Sequence, residues 1–172
     1  GRTMQNLADR IAAGTLAAEI VCVVASSEKA GGVDRAATLK LPCYVVPRKG
    51  YDTPAAFSDA VFKLVRDSGA ELVCLAGFLS LLAIPEDFAG RVLNIHPALL
   101  PSFGGRGMYG EKVHAAVLAH GCKVSGCTVH VCDNTYDTGP IVAQRCCEVR
   151  DDDTPATLAA RVFEQEYTAY PA

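Results

Sequence analysis

Residues 54–76 read Pro-Ala-Ala-Phe-Ser-Asp-Ala-Val-Phe-Lys-Leu-Val-Arg-Asp-Ser-Gly-Ala-Glu-Leu-Val-Cys-Leu-Ala, and a change of period inside this stretch decides the fold class. From Ala55 to Arg66 the apolar side chains recur every three to four positions, which is the spacing of a helix with one buried face. Pro54 stands where the first helical turn begins, and Ser68-Gly69 ends the pattern. Glu71 to Ala76 is then a short apolar run, as expected of a strand covered on both faces.

The same alternation extends outward in both directions. Upstream, the pattern predicts a helix over residues 4–13 stopped by Gly14, a strand over 19–25, a helix over 32–39 and a strand over 43–46. Downstream come a short helical stretch at 85–88 and a strand at 91–96. Such alternation implies an α/β fold, Rossmann-like, with a mainly parallel sheet and helices on both faces. Beyond Pro97 the pattern changes: a loop rich in Gly, Ser and Pro (97–110) precedes a helix at 111–120. Two longer strands, 124–132 and 141–149, follow, joined by a turn-rich connection. They are expected to form an antiparallel pair toward the C-terminus. Thr154-Pro155 supplies an N-cap and a first-turn proline for a last helix.

With 172 residues, half of them apolar, the chain can bury one sizeable core and is read as a single domain over 1–172. It enters a helix almost at once after Gly1-Arg2-Thr3 and stops at Tyr170-Pro171-Ala172, so a first strand and a closing C-terminal element are expected to be missing from this stretch. The formal charge of −3 provides no basic field for a nucleic-acid backbone. No apolar span is long enough for a membrane and no secretory leader is visible, so small-molecule partners and a cytoplasmic location are expected. The oligomeric state is left open.

Eight cysteines fall mostly in apolar runs, such as Cys22 and Cys74, and read as buried thiols in a reducing compartment. Zinc on Cys122, Cys127, Cys132 and the Cys146-Cys147 pair is disfavoured, because strand residues five apart or adjacent point to opposite faces. No metal is expected.

Chemistry concentrates at Asn94-Ile95-His96-Pro97. Asn94 and His96 are two apart at the end of an apolar strand and share a face, and Pro97 turns the chain out of the sheet. An amide donor beside an imidazole suits an oxyanion on a carbonyl carbon under attack, although a histidine at a strand end also serves structure alone. Asp137 lies in the turn-rich loop; it serves turn geometry, or it faces His96 and raises its pKa. His130 and Thr128 share a strand face and are candidates to line the same pocket, His130 reading equally well as a satisfied core histidine. His114 and His120 read as exposed positions on an amphipathic helix.

Four motifs in order carry a resemblance over nearly the whole chain: Leu-Ala-Gly-Phe-Leu at 75–79, Leu-Asn-Ile-His-Pro-Ala-Leu-Leu-Pro-Ser-Phe at 93–103, Gly-Cys-Thr-Val-His-Val at 126–131, and Tyr-Asp-Thr-Gly-Pro-Ile-Val at 136–142. Together they resemble the phosphoribosylglycinamide formyltransferases, folate enzymes of purine biosynthesis. The resemblance implies that Asn94, His96 and Asp137 are catalytic and that 10-formyltetrahydrofolate is the formyl-donor co-substrate, with no metal. It implies that Gly1, Arg2, Thr3, Met4 and Gln5 hold the substrate phosphate at a helix N-terminus and that Glu166 binds the ribose. It also places Leu79, Ser80, Leu81 and Leu82, with Asp133, Asn134, Thr135, Tyr136 and Asp137, around the folate pteridine, near Asn94. The sequence departs from the family at Arg2-Thr3, at Ser80 and at Pro54; the last two stand where arginines are usual, and Arg48, Lys49 or Arg106 are the candidate replacements. Related alternatives are formyltetrahydrofolate deformylase, which passes the formyl group to water, and methionyl-tRNA formyltransferase, whose basic C-terminal domain has no counterpart here. From another class, a nucleotide-binding module without catalysis fits the same element order.

Overall fold

The computed structural model describes all residues, Gly1–Ala172, and divides them into two compact units, Gly1–Val92 and Leu93–Ala172. In the first, α1 (Arg2–Ala12), β1 (Val23–Ala25), α2 (Gly31–Thr38), β2 (Cys43–Val45), α3 (Pro54–Asp67) and β3 (Val73–Leu75) follow one another in the predicted alternation. β1 and β2 pair in parallel, with Val23 opposite Cys43 and Ala25 opposite Val45.

α3 forms for the reasons its sequence shows. The Thr53 hydroxyl accepts the Ala56 N–H at 3.1 Å, Pro54 occupies the first turn, and Gly69 takes the left-handed conformation just past the end. Its buried face is Phe57, Val61, Phe62 and Val65. Phe57 stacks on Phe78 with centroids 6.1 Å apart, and Phe62 meets Phe88 at 5.3 Å. Phe57, Phe62 and Phe88 are buried, which contributes about 1.5–3 kcal/mol each relative to exposure, and Phe78 is half-buried. Ser58, also buried, donates to the Pro54 carbonyl and accepts the Ala83 N–H at 2.8 Å, tying the segment after β3 to the helix.

The second unit contains an antiparallel ladder, β4 (Val92–His96), β5 (Val124–Val131) and β6 (Ile141–Glu148), with α4 (Glu111–Ala119) and α5 (Pro155–Ala169). α5 packs against β5, β6 and α4 through Leu158, Val162 and Ala169. A reciprocal cap between Thr154 and Thr157 starts it. Just before it, Asp153 is clamped by both guanidinium nitrogens of Arg161, which also donates to the Glu148 carbonyl at 3.0 Å.

The α/β architecture agrees with the sequence reading, with three differences. Antiparallel pairing extends one strand further than expected, to β4. The strands expected at 19–25 and 71–76 shorten to three residues each and are half-buried rather than buried on both faces. The thiols are less covered than expected: Cys74, on short β3, and Cys146, on the largely exposed strand β6, are exposed, Cys22 is half-exposed, and only Cys127 is fully buried. No helix is long and apolar enough to cross a membrane.

Candidate active site

The register of β4 on β5 builds the site. Asn94 lies directly opposite His130, and His96 directly opposite Thr128, so two residues two apart on each strand turn four side chains to one face. Thr128 is fully buried, and its hydroxyl is wholly committed to structure. It donates to the Ala98 carbonyl at 2.7 Å and accepts the Leu100 N–H and a Gln144 amide N–H, both at 3.0 Å. The same Gln144 amide reaches the Leu100 carbonyl at 2.9 Å. Thr128 therefore pins the chain leaving β4 rather than offering a hydroxyl to a ligand, which corrects its reading as a pocket residue.

That pinned segment leads into the loop that meets His96. Phe103 adopts a left-handed φ of 55°, and its carbonyl accepts the His96 Nε2–H at 2.9 Å. Gly104 has no room for a side chain: a Cβ there would stand 2.5 Å from Leu100 Cδ2 and 3.2 Å from Asp137 Cβ. The Gly105 N–H donates to Asp137 Oδ2 at 2.9 Å. Asp137 itself has φ 58°, a conformation Asp tolerates better than most residues. Gly139 lets the loop return flush against β5, since a Cβ there would overlap the Val131 carbonyl oxygen.

Four functional groups converge as a result. Asp137 Oδ2 is 3.5 Å from His96 Nδ1, Asp137 Oδ1 is 3.6 Å from His130 Nε2, and Asn94 Nδ2 is 3.1 Å from His130 Nε2. His96 and His130 are almost completely buried. Because a carbonyl cannot donate, the Phe103 contact fixes the His96 proton on Nε2 and leaves Nδ1 as the lone pair facing Asp137. Burial pushes the His96 pKa down and nearby His130 adds to this. Asp137 and the Phe103 carbonyl pull it up, but burial wins and the ring titrates below its ordinary 6.5. Asp137 thus raises the His96 pKa as its charge demands, and the larger cost of burial reverses the outcome. At neutral pH His96 is a neutral imidazole, ready to take a proton on Nδ1 when negative charge develops nearby. Burial also pushes the Asp137 carboxyl up. The His130 ring and the Gly105 N–H, with the charges of His96 and His130, outweigh it and hold Asp137 below its ordinary 3.8. An amide donor, a neutral imidazole and an ionised carboxylate around one point can donate to developing negative charge and take up a proton.

The chain matches the sequence profile of the formyl transferase family over residues 1–172. The chain belongs to that family. Two relatives are phosphoribosylglycinamide formyltransferases: the chloroplastic protein of Arabidopsis thaliana, 37% identical over 99% of this chain, and that of Bacillus subtilis, 32% identical over the whole chain and 87% of the relative. Among solved structures, glycinamide ribonucleotide transformylase 1 from Symbiobacterium toebii superposes with a TM-score of 0.91 at 33% identity, covering 98% of this chain and 78% of that one. The chain spans 59% and 55% of the length of two chloroplastic plant relatives.

The remaining expected residues of this family member fall in both units. In the first, Gly1 caps α1 with no side-chain cap, its carbonyl accepts the Gln5 N–H, and Gln5 spends its amide on Asp9. Leu79 is exposed, Ser80 and Leu81 are half-buried, and Leu82 is buried. Arg48 donates to the Tyr51 carbonyl at 2.7 Å and lies over the Phe57 ring, so it is committed locally. In the second, Asp133 shapes its own loop by accepting the Thr135 N–H and the Thr138 hydroxyl. Asn134 and Thr135 are exposed and Tyr136 is half-buried. Glu166, on α5, is close enough to Cys127 that burial first, and then its charge, push that thiol up to about 12. No three His, Cys, Asp or Glu side chains gather into a metal-binding group.

Four participants escaped the sequence reading. The Phe103 carbonyl and the Gly105 N–H are backbone groups, for which the Gly-Gly at 104–105 was the only available signal. Gln144 gave none. His114, expected to be exposed, is buried with Nδ1 unpartnered, and burial lowers its pKa, opposed by Glu111 and aided by His96. His120 is exposed as expected, but its ring meets Phe103 edge-on at 5.2 Å.

Proposed function

We propose that this chain transfers the formyl group of 10-formyltetrahydrofolate to the glycine amine of N1-(5-phosphoribosyl)glycinamide, a step of de novo purine biosynthesis. The observation that carries this reading is the convergence of Asn94, His96 and Asp137 beside His130 on one face of the β4–β5 pair. The amine lone pair attacks the formyl carbon, and the carbonyl π electrons move onto oxygen. An Asn94 N–H stabilises that oxyanion, an effect worth about 10²–10³ in kcat, and His96 adds to it once its Nδ1 has taken up a proton, which it gives back as the intermediate collapses. The attacking nitrogen loses a proton to Asp137, directly or through one water, and that proton passes to the folate N10 as the C–N10 bond breaks.

The 172 residues act in this reading as one formyltransferase domain. In the first unit, Gly1 to Gln5 are the proposed contacts for the substrate phosphate and Leu79 to Leu82 for the folate; in the second, Glu166 is the proposed contact for the ribose and Asp133 to Asp137 for the folate. Arg106, which is exposed, or Lys49 supplies positive charge that Ser80 and Pro54 lack. A cytoplasmic setting, with small molecules as the only partners, belongs to the same proposal.

The test is to incubate the protein with both substrates and follow the folate absorbance. Formyl transfer that depends on the amine supports the reading. Formyl release without the amine identifies a deformylase, and folate binding without turnover identifies a binding module.

A further inference from the structure

His130 is 2% exposed and carries no charge that the proposed reaction needs, yet both of its ring nitrogens are engaged. Its Nδ1 is 3.2 Å from the Val131 carbonyl oxygen. A carbonyl only accepts, so the ring proton sits on Nδ1. In the neutral ring Nε2 is then a lone pair and can only accept. Its partner at 3.1 Å, the Asn94 side chain, must therefore present its NH₂ group and not its oxygen. One choice of proton at the Val131 carbonyl thus propagates through the imidazole and settles which way round the Asn94 amide stands. The Asp137 carboxylate oxygen stands 3.6 Å from Nε2, farther than the Asn94 amide; a ring proton on Nε2 would point to that carboxylate, and ¹⁵N NMR of the ring distinguishes the two arrangements. His96, the other titratable group of the cluster, has its Nε2–H turned to Phe103.

The strands make this relay possible. Asn94 and His130 are a directly opposed cross-strand pair, and β5 shifts register against β6 between Val129 and His130, from Ala143 to Ile141. The extra residue at that shift, Val142, lies on β6, so the Asn94–His130 pairing of β4 with β5 stays regular.

The geometry points to His130 as a positioning residue: its Nδ1–H tautomer, set by the Val131 carbonyl, holds the Asn94 amide so that its second N–H faces the formyl oxygen. This deepens the proposed formyl transfer and rests on it. Without an acceptor at position 130, the Asn94 amide is free to turn and present its oxygen to the developing oxyanion. The donor is then lost or opposed, while substrate contacts made elsewhere are untouched.

The experiment compares wild type, His130→Leu and His130→Gln in the formyl-transfer assay, together with ¹⁵N NMR of the ring in the wild-type protein. His130→Leu removes the acceptor, and kcat should fall about 100-fold, the loss of one oxyanion donor, with KM for both substrates within threefold. His130→Gln restores a side-chain acceptor and should recover at least tenfold of that loss. The wild-type spectrum should show the proton on Nδ1. A Leu variant that keeps kcat within threefold of wild type, a Gln variant no better than Leu, or a proton found on Nε2 overturns the assignment. A folded Leu variant whose KM rises with kcat unchanged overturns it too. Failure of the wild type to transfer formyl at all removes the proposed function instead, and the NMR result still decides the tautomer.

Discussion

Thr128→Val is the perturbation that most directly joins the fold to the site. Valine fills the space of threonine, so the change deletes one hydroxyl and little else. That hydroxyl serves the Ala98 carbonyl at 2.7 Å, the Leu100 N–H at 3.0 Å and the Gln144 amide at 3.0 Å, in a position with no solvent exposure. Gln144 keeps its bond to the Leu100 carbonyl, so two backbone groups, the Ala98 oxygen and the Leu100 N–H, lose their partner. An orphaned buried polar group costs about 1–3 kcal/mol, which sets the loss for two at about 2–6 kcal/mol, a large part of a typical total of about 5–15. Thr128→Ser keeps the hydroxyl and should lose only about 1 kcal/mol for the missing methyl. Urea unfolding at constant m-value measures both, and kcat should fall more in Val than in Ser, because residues 98–105 carry the groups that hold His96 and Asp137. A Val variant within 0.5 kcal/mol of Ser would refute the reasoning, since it would mean that the three short contacts contribute nothing net.

Asp137→Asn should lower kcat by about 10²–10⁴ while leaving the protein folded, because the Asn oxygen still accepts the Gly105 N–H; a loss under threefold in the steady-state assay ends its role as proton acceptor. Gly104→Ala forces Leu100 Cδ2 and Asp137 Cβ apart and should cost about 1–3 kcal/mol by denaturant titration, with kcat reduced as the carboxylate moves; an unchanged midpoint would show the loop to be slack. Stability should also fall on acidification. His96 and His114 both titrate below their ordinary 6.5 when folded, so the unfolded chain binds protons that the folded one refuses. Their contribution is complete above pH 6.5 and is lost as pH falls toward the lowered folded values. Asp137, held below 3.8, adds stability above that pH that disappears only at more acid values still. A melting temperature that rises between pH 7 and pH 5 would contradict the assigned burial.

Much of this was legible in the chain itself. The helical stretch from Pro54 to Arg66, with its cap and its Ser-Gly stop, forms where period and punctuation place it, because local rules and burial agree there. The strands at 19–25 and 71–76 were overestimated because an apolar run shows that residues can be covered, not that anything covers them. Asn94 and His96 were readable from strand periodicity and the Pro97 break. The arrival of Asp137 was not, since it depends on a left-handed residue, two close-packed glycines and a pinned segment contributed by residues 98–105. Thr128 and His130 look alike by alternation, yet one is spent on backbone and the other touches Asn94; only the partner strand distinguishes them. His114 was misread because its helix is apolar on more sides than a surface helix needs to be.

Every side chain that converges on the presumptive reacting carbon comes from positions 94 to 137, on two neighbouring strands and one return loop. Bond-making equipment is thereby packaged in a short, contiguous cassette, while most of the segments named for gripping the nucleotide and the pterin lie outside it. Mutational drift in those gripping segments can retune which amine is admitted without disturbing the step at carbon. Such a separation makes it reasonable for one scaffold to serve several acceptors, water among them, with the same amide, imidazole and carboxylate.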